Sequence, residues 1–358
     1  MHYLDNAATS HPKPEGVVRA MVEAMTEENA NPGRSGHPRA LAAARRVLKT
    51  REALARLIGA ADAMSVAYAF NCTDALNLAI KGSLRLGDHV IATRLEHNSV
   101  LRPLCTLERR RRLALTLVSP RPDGFIDPGD VEAAVTDRTR LIVCTQASNV
   151  TGAIQPAAAI GRIARARGIR YLIDGAQALG AMPVDVKALG CDLYAFPGHK
   201  SLLGPQGTGG LYIRPGVRLN TLREGGTGSA SDSLSQPEEL PERYEAGTVN
   251  LPGIAGLGAG VEYVSSRLSQ IMMHERELTG ELIEGLSGIP GVTLYSPREE
   301  AARAGIVSFN VGSLSSSQAA DALAEKGFDV RGGLHCAPEA HRFLGTLQRG
   351  MVRASVGC

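Results

Sequence analysis

The chain has 358 residues, 44% of them hydrophobic and 21% charged, with a formal net charge of +3. It is long enough for two domains and a large core, and its balance is that of a soluble globular protein. The charge is too small to argue for nucleic acid, and no apolar run approaches the ~18 residues that a membrane helix needs.

Met1-His2-Tyr3-Leu4-Asp5-Asn6 has no basic segment followed by an apolar one, so it is not read as a signal peptide. Residues 1–15 are expected to pack between a large domain (16–255) and a small one (256–358). Leu41 to Ile58 carries an amphipathic helical pattern closed by Gly59. Short apolar runs come next at Ser65–Phe70, His89–Thr93, Leu141–Thr145, Arg170–Ile173 and Leu193–Phe196, with helical stretches such as Ala157–Ala166 between several of them. This alternation predicts parallel strands with crossover helices, a three-layer α/β domain. The basic run Arg109–Arg112 reads as the solvated end of a helix.

Gly225 to Glu242 is rich in Gly, Ser and Pro and reads as a long surface loop. Pro252 to about Gly285 is mostly helical in pattern. A second α/β pattern begins after Gly291, with a strand at Ile306–Val311, a helix at Ser317–Lys326 closed by Gly327, a strand at Phe328–Arg331 and a last strand at Met351–Val356. The six cysteines (72, 105, 144, 191, 336 and 358) contain no Cys-x-x-Cys pair, which fits neither a zinc site nor a disulfide framework and points to a reducing cytoplasm. Cys144 lies in an apolar run and Cys191 beside one; both read as core residues.

The residues just beyond each run carry more information than the runs themselves. The first run ends in Asn71-Cys72-Thr73, the second leads to Glu96-His97-Asn98 and the third to Asn149. The fourth ends at Asp174 with Gln177 a turn later, and the fifth leads to His199-Lys200. Ligands of open α/β sheets bind at the carboxyl ends of the strands, so these groups describe one site.

Each residue also has an ordinary reading. Lys200 alone is a solvated lysine, Asp174 a helix cap, Thr73 a cap that equally offers a helix N-terminus to a phosphate, and His97 a structural histidine. Gly204-Pro205-Gln206-Gly207-Thr208-Gly209-Gly210 is expected to let backbone approach a ligand. Cys336 lies in a second glycine-rich loop, and Cys72 abuts the candidate phosphate position. An amine suited to a Schiff base and a thiol nucleophile together point to cofactor-assisted removal of sulfur from an amino acid.

Asp5-Asn6-Ala7-Ala8, Glu96-His97-Asn98, Ser148-Asn149, Asp174-Gly175-Ala176-Gln177, Gly198-His199-Lys200, Glu245-Ala246-Gly247-Thr248 and Arg331-Gly332-Gly333-Leu334-His335-Cys336-Ala337 recur in this order. Over essentially its full length the chain resembles the class V, fold-type-I pyridoxal-phosphate enzymes. It is most similar to the cysteine desulfurase and selenocysteine lyase branch with the short Arg-x-Gly-x-His-Cys-Ala loop. The resemblance implies that pyridoxal 5′-phosphate is bound by Lys200 through a Schiff base. Asp174 would face the pyridine nitrogen, Gln177 the ring hydroxyl and Asn149 the ring and substrate, with His97 stacked on the ring. Thr73 and His199, beside Cys72, would hold the phosphate, helped by Thr248 from the partner of a homodimer. Arg353, assisted by Arg331, would clamp the substrate carboxylate. Cys336 would be the nucleophile, with His335 or His97 taking its proton.

The implied reaction converts L-cysteine to L-alanine and leaves a persulfide on Cys336 for an acceptor protein. Selenocysteine lyase, another class V activity without the thiol, and a sulfur-relay or cofactor-binding protein remain open at this point. Three departures from the branch stand out. Pro197 replaces a hydroxyl residue, Leu334 replaces a second histidine, and the chain stops at Cys358 where relatives continue, so either a truncated chain or a shortened small domain is expected.

Overall fold

The computed structural model describes residues 1–33, 35–111 and 113–358. In chain order the first half comprises β1 (His2–Tyr3), α1 (Glu15–Thr26), α2 (Pro38–Leu57), β2 (Val66–Ala69), α3 (Cys72–Ser83), β3 (His89–Thr93), α4 (Asn98–Arg111), β4 (Ala114–Val118), α5 (Pro128–Ala133), β5 (Thr139–Thr145), α6 (Ala157–Ala166), β6 (Arg170–Asp174), β7 (Leu193–Pro197) and β8 (Gly209–Ile213). The second half comprises α7 (Leu251–Ser265), α8 (Leu268–Ser287), β9 (Val292–Leu294), β10 (Ile306–Val311), α9 (Ser316–Glu325), β11 (Phe328–Asp329), β12 (Arg331–Gly333), α10 (Pro338–Phe343) and β13 (Met351–Ser355).

Seven strands form the main sheet in the order β2-β8-β7-β6-β5-β3-β4, parallel except for β8. Strand alternation sorts its side chains into two cores. Ile91, Ile142, Cys144, Tyr171, Ile173, Tyr194 and Phe196 pack with Leu54 of α2 and Ile160 of α6. Their neighbours Val90, Ala92, Leu141, Val143, Leu172, Leu193 and Ala195 pack with Leu76 and Ile80 of α3 and Leu104 of α4. Strands covered on both faces read as continuous apolar runs, which is why the central parallel ones were visible in sequence, whereas the half-buried parallel strand β4 at the sheet edge was not read.

The helix starts obey capping chemistry. His37 Nδ1 accepts from Ala40 N ahead of Pro38, so α2 begins three residues before Leu41. The Asn71 side chain accepts from Asp74 N and starts α3 one residue before Thr73. Ser315 and Gln318 form a capping box that starts α9. Residue 255 falls inside α7, which packs Leu251 and Ala255 against Ala20, Ala24 and Ala43. Arg112 of the basic run lies outside the described residues; Arg109 and Arg110 are exposed on α4.

Two readings are corrected. Phe328–Arg331 is not one strand: β11 pairs in parallel with β1, whereas β12 joins the antiparallel sheet β12-β13-β10-β9. An apolar run cannot reveal that the chain changes sheet within it. The glycines after Lys200 face protein rather than a ligand. A Cβ on Gly204 would lie 2.9 Å from Gly198 O, and one on Gly209 would lie 2.7 Å from Phe196 O. They let β8 and its approach close on β7, and β8, unread in the sequence, is built from them.

The N-terminal segment runs from the small sheet to the main one. Asp5 bridges Ser355, Ala7 N donates to Ser355 Oγ, and Ser10 Oγ donates to Lys200 O at 2.9 Å.

A Gly161→Ala substitution tests this packing. Alanine is normally favoured over glycine inside a helix by about 1 kcal/mol. Here the added Cβ would collide with the Leu189 carbonyl oxygen, which is fixed backbone. The expected result is a net loss of about 1–3 kcal/mol in urea unfolding; a gain would refute this α6 contact.

Candidate active site

A cavity of about 220 Å³ opens where β3, β5, β6 and β7 end, beneath the β12–α10 loop. It brings together Cys72, Thr73, His97, Asn149, Asp174, Gln177, His199, Lys200, Arg331, His335, Cys336 and Arg353, residues spread over the whole sequence. Thr248 is not among them. It is exposed beside Phe70 and Gly207, facing a different hollow of this chain.

Lys200 lies just past β7 in a turn closed by Leu203 N donating to Lys200 O at 2.8 Å, with Leu203 at φ +59°. Burial lowers the lysine pKa and the nearby Asp174 partly restores it. Asp174 ends β6 with only 3% exposure, and its Oδ1 accepts from Ala176 N at 2.9 Å and from Cys72 Sγ at 3.6 Å. It therefore acts as a turn-forming carboxylate facing the cavity, not as a cap, because no helix comes directly after it. The Cys72 thiol is pushed well up by burial and then by Asp174, so it stays protonated. Gln177 Nε2 donates to Ala7 O at 3.1 Å.

One wall is a hydroxyl and imidazole network. Thr73 Oγ1 lies 2.7 Å from Ser99 Oγ, and Ser99 N donates to His97 Nδ1 at 3.0 Å. That bond assigns the neutral His97 tautomer with its proton on Nε2. Burial is the main force lowering His97 to about 4, and His199 also falls to about 4, mainly by burial. His199 Nδ1 is buried without a partner.

The opposite wall is cationic. Arg353 and Arg331 are directly paired across β13 and β12. Like charges at such a position oppose each other unless an anion joins them. Arg353 is 2% exposed; its Nη2 donates to Asp5 Oδ1 at 2.9 Å and its Nη1 to Asn149 O at 3.0 Å, while Nε has no partner.

Above lies the thiol loop. His335 and Cys336 both adopt left-handed backbone, at φ +50° and +57°, which costs on the order of 1 kcal/mol for each side-chain-bearing residue. Three hydrogen bonds hold it there: Asn149 Nδ2 to His335 O at 2.6 Å, Asn98 N to Cys336 O at 2.7 Å and Ala337 N to Leu334 O at 2.9 Å. Cys336 is exposed, whereas Cys72, Cys144 and Cys191 are buried. The His335 ring is buried, its Nε2 lying 3.2 Å from Arg331 O, and burial first, then Arg353, lowers it to about 3. At such values His335 and His97 are hydrogen-bonding groups and weak bases, which disfavours either as the group that deprotonates the thiol.

Sequence reasoning missed Asp5 as the ion-pair partner of Arg353, Ser99 as the link between Thr73 and His97, and Asn98 as a loop anchor. Asp5 and Asn98 did stand in recurring motifs, but nothing marked their contacts.

The class-V aminotransferase family matches residues 2–358. A probable cysteine desulfurase of Methanothermobacter thermautotrophicus is 39% identical over 99% of this chain and 89% of its own. A cysteine desulfurase of Klebsiella pneumoniae is 36% identical over 94% and 84%. The solved apo structure of the Thermococcus onnurineus cysteine desulfurase superposes with a TM-score of 0.93 at 34% identity, covering 99% of this chain and 90% of that one. The fold and site thus define a fold-type-I pyridoxal-phosphate enzyme architecture. The chain belongs to the class-V aminotransferase family, in its cysteine desulfurase branch.

Glu96 gives a pH test of the site floor. Its Oε1 accepts from Thr93 Oγ1 at 2.7 Å and Thr145 N at 2.9 Å, Oε2 has no partner, and burial raises the carboxyl from 4.5 to about 8. A raised acid favours folding most below its unfolded pKa, and that contribution is lost as pH climbs from about 4.5 to about 8. Glu96→Gln removes this titration. Wild-type stability minus that of the variant is expected to fall by about 1.4 kcal/mol per pH unit in that window. A difference independent of pH would mean the carboxyl is already ionised.

Proposed function

We propose that this protein is a pyridoxal-phosphate-dependent cysteine desulfurase that converts L-cysteine to L-alanine and carries the sulfur as a persulfide on Cys336. The observation that carries the reading is that a half-buried amine, Lys200, and an exposed thiol, Cys336, share one cavity with two paired arginines.

The residues present fit the cofactor. Lys200 would hold its aldehyde, and Asp174 would face the pyridine nitrogen. Gln177 would meet the ring hydroxyl, and His97 and Asn149 would flank the ring. Thr73 and His199, next to Cys72, would hold the phosphate, and the unpartnered His199 Nδ1 suits that role. Ser99, linked to Thr73, supplies a hydroxyl near the place where Pro197 has none. When bound, the cofactor supplies an electron-withdrawing ring that stabilises negative charge at the substrate α-carbon.

The protein's own groups do the rest. Arg353, through its free Nε, and Arg331 bind the substrate carboxylate and thereby orient the side-chain sulfur. Lys200, kept low in pKa by burial, moves the α-proton. The Cys336 thiolate forms a bond to the substrate sulfur as the Cβ–S bond breaks, and that electron pair returns to carbon, which becomes the alanine methyl after protonation. Arg353 is near enough to Cys336 for their charges to interact. The exposed thiol suits delivery to an acceptor protein.

We further infer a homodimer in which exposed Thr248 completes the partner's phosphate site, working in a reducing cytoplasm that keeps Cys336 a thiol. The small-domain boundary is placed near residue 255, with residues 1–15 tying the two parts together.

Alanine and sulfide release from L-cysteine by the cofactor-loaded protein is expected to vanish in Cys336→Ala while cofactor absorbance is retained. Lys200→Ala is expected to lose both turnover and the covalently bound chromophore. Full cysteine turnover by Cys336→Ala would overturn the thiol mechanism; turnover of selenocysteine alone would move the assignment to a lyase. Arg353→Gln is expected to raise KM for cysteine about 10- to 100-fold, the range for a lost charged hydrogen bond.

A further inference from the structure

At the edge of the main sheet opposite the active site, strand starts and helix ends surround a groove of about 1070 Å³. Seven arginines line it against three carboxylates, so this one groove holds a surplus of four positive charges in a chain whose net charge is +3.

The carboxylates are already engaged. Asp192 Oδ1 takes Arg214 Nε at 2.7 Å and its Oδ2 takes Tyr171 N at 2.8 Å. Glu238 is ion-paired with Arg218 and with Arg243, the latter at 2.8 Å. Asp88 Oδ2 accepts from Arg85 N at 2.7 Å. Arg85, Arg140, Arg165 and Arg170 have no ion pair to a carboxylate among the described residues.

Some of this charge answers a local need. Arg165 sits in the last turn of α6, where a cation offsets the helix dipole. Arg140 and Arg170 donate only to carbonyls, Arg140 Nη1 to Asp137 O at 2.9 Å and Arg170 Nη2 to Arg218 O at 3.3 Å. Arg170 is half-buried on the groove floor, and burial together with the nearby Arg214 and Arg85 lowers its proton affinity despite Asp192. Two further lining donors, Ser83 Oγ and Arg243 Nε, are buried without a hydrogen-bond partner. Like charges gathered around unsatisfied donors are the physical signature of an anion-binding site.

We propose that this groove binds a small polyanion carrying at least two phosphate groups, with Arg85 and Arg170 among its principal contacts. Guanidinium forks match phosphate oxygens bidentately. The groove is near the upper end of small-molecule sites, ~300–1,000 Å³. No aromatic ring lines it among the described residues, so no nucleobase is stacked there. An acidic peptide is the poorer match. Carboxylates on one face of an extended chain stand about 6–7 Å apart, whereas a phosphate chain concentrates its charge beside Arg170 and Arg85, whose charges already interact.

The test is titration calorimetry of tripolyphosphate into the protein saturated with pyridoxal 5′-phosphate, so that active-site phosphate groups are already occupied. The expected result is one saturable site per chain, weakened steeply by added salt and by about tenfold or more in Arg170→Gln. Arg85 is exposed, so Arg85→Gln should weaken binding similarly without disturbing the fold. Arg121→Gln, remote from the groove, should leave the affinity unchanged. No saturable binding at low salt, or equal affinity in Arg85→Gln and Arg170→Gln to that of the unsubstituted protein, would overturn the proposal. So would tighter binding of oligoglutamate of equal charge, which would make the groove a docking surface for an acidic protein.

Discussion

A buried guanidinium has to be held by strong acceptors, and Arg353 is the point on which the rest of the site depends. At 2% exposure it cannot be solvated by bulk water. Its acceptors come from two other parts of the chain: Asp5 from the N-terminal segment and the Asn149 carbonyl from the loop after β5. Satisfying this one charge therefore brings the small sheet, the main sheet and the N-terminal segment to a common place. Arg331, paired across the strands, adds a like charge that none of these acceptors neutralises. The pair thus leaves a positive charge that the carboxylate of the proposed substrate would meet.

The same loop that caps Arg353 also fixes the thiol. Asn149 gives its carbonyl to Arg353 and its side-chain amide to the carbonyl of His335, so the proposed carboxylate site and the proposed nucleophile are held by one residue. Two successive left-handed residues make the Cys336 loop a tight turn, held against its strain by Asn149 and Asn98. Protonation states are divided by burial in the same small volume. Lys200, His97, His199 and His335 are all pushed toward their neutral forms, and Cys72 is kept a thiol. Of the two cysteines lining the cavity, Cys336 is the exposed one, which suits a sulfur atom that must be handed on.

The sequence made the parallel core strands and the polar groups at their carboxyl ends legible, because doubly buried strands are short apolar runs and a binding site must lie where they end. Lys200, Asp174 and Cys336 could be singled out for that reason. Antiparallel β8 was hidden because Gly209 and Gly210 make it look like a loop, when their missing side chains admit Phe196 and the backbone beside Asn71. The change of sheet between β11 and β12 was equally invisible, since pairing partners are set by tertiary contacts. Ser99 and Asp5 gave no signal of their roles, because a serine or an aspartate acquires chemistry only through the neighbour it reaches. The arginines of the opposite groove lie scattered from 85 to 243 and form no charge run, so only folding reveals their concentration.

The central claim is that Cys336 receives the sulfur. It is tested most directly by mixing the cofactor-loaded protein with L-cysteine in the absence of an acceptor, trapping thiols by alkylation and identifying the modified peptides by mass spectrometry. The account predicts one additional sulfur atom on the peptide containing Cys336, removable by a reducing thiol, and none on peptides carrying Cys72, Cys105, Cys144, Cys191 or Cys358. Extra sulfur on one of those cysteines, or alanine formed while Cys336 stays unmodified, would contradict it.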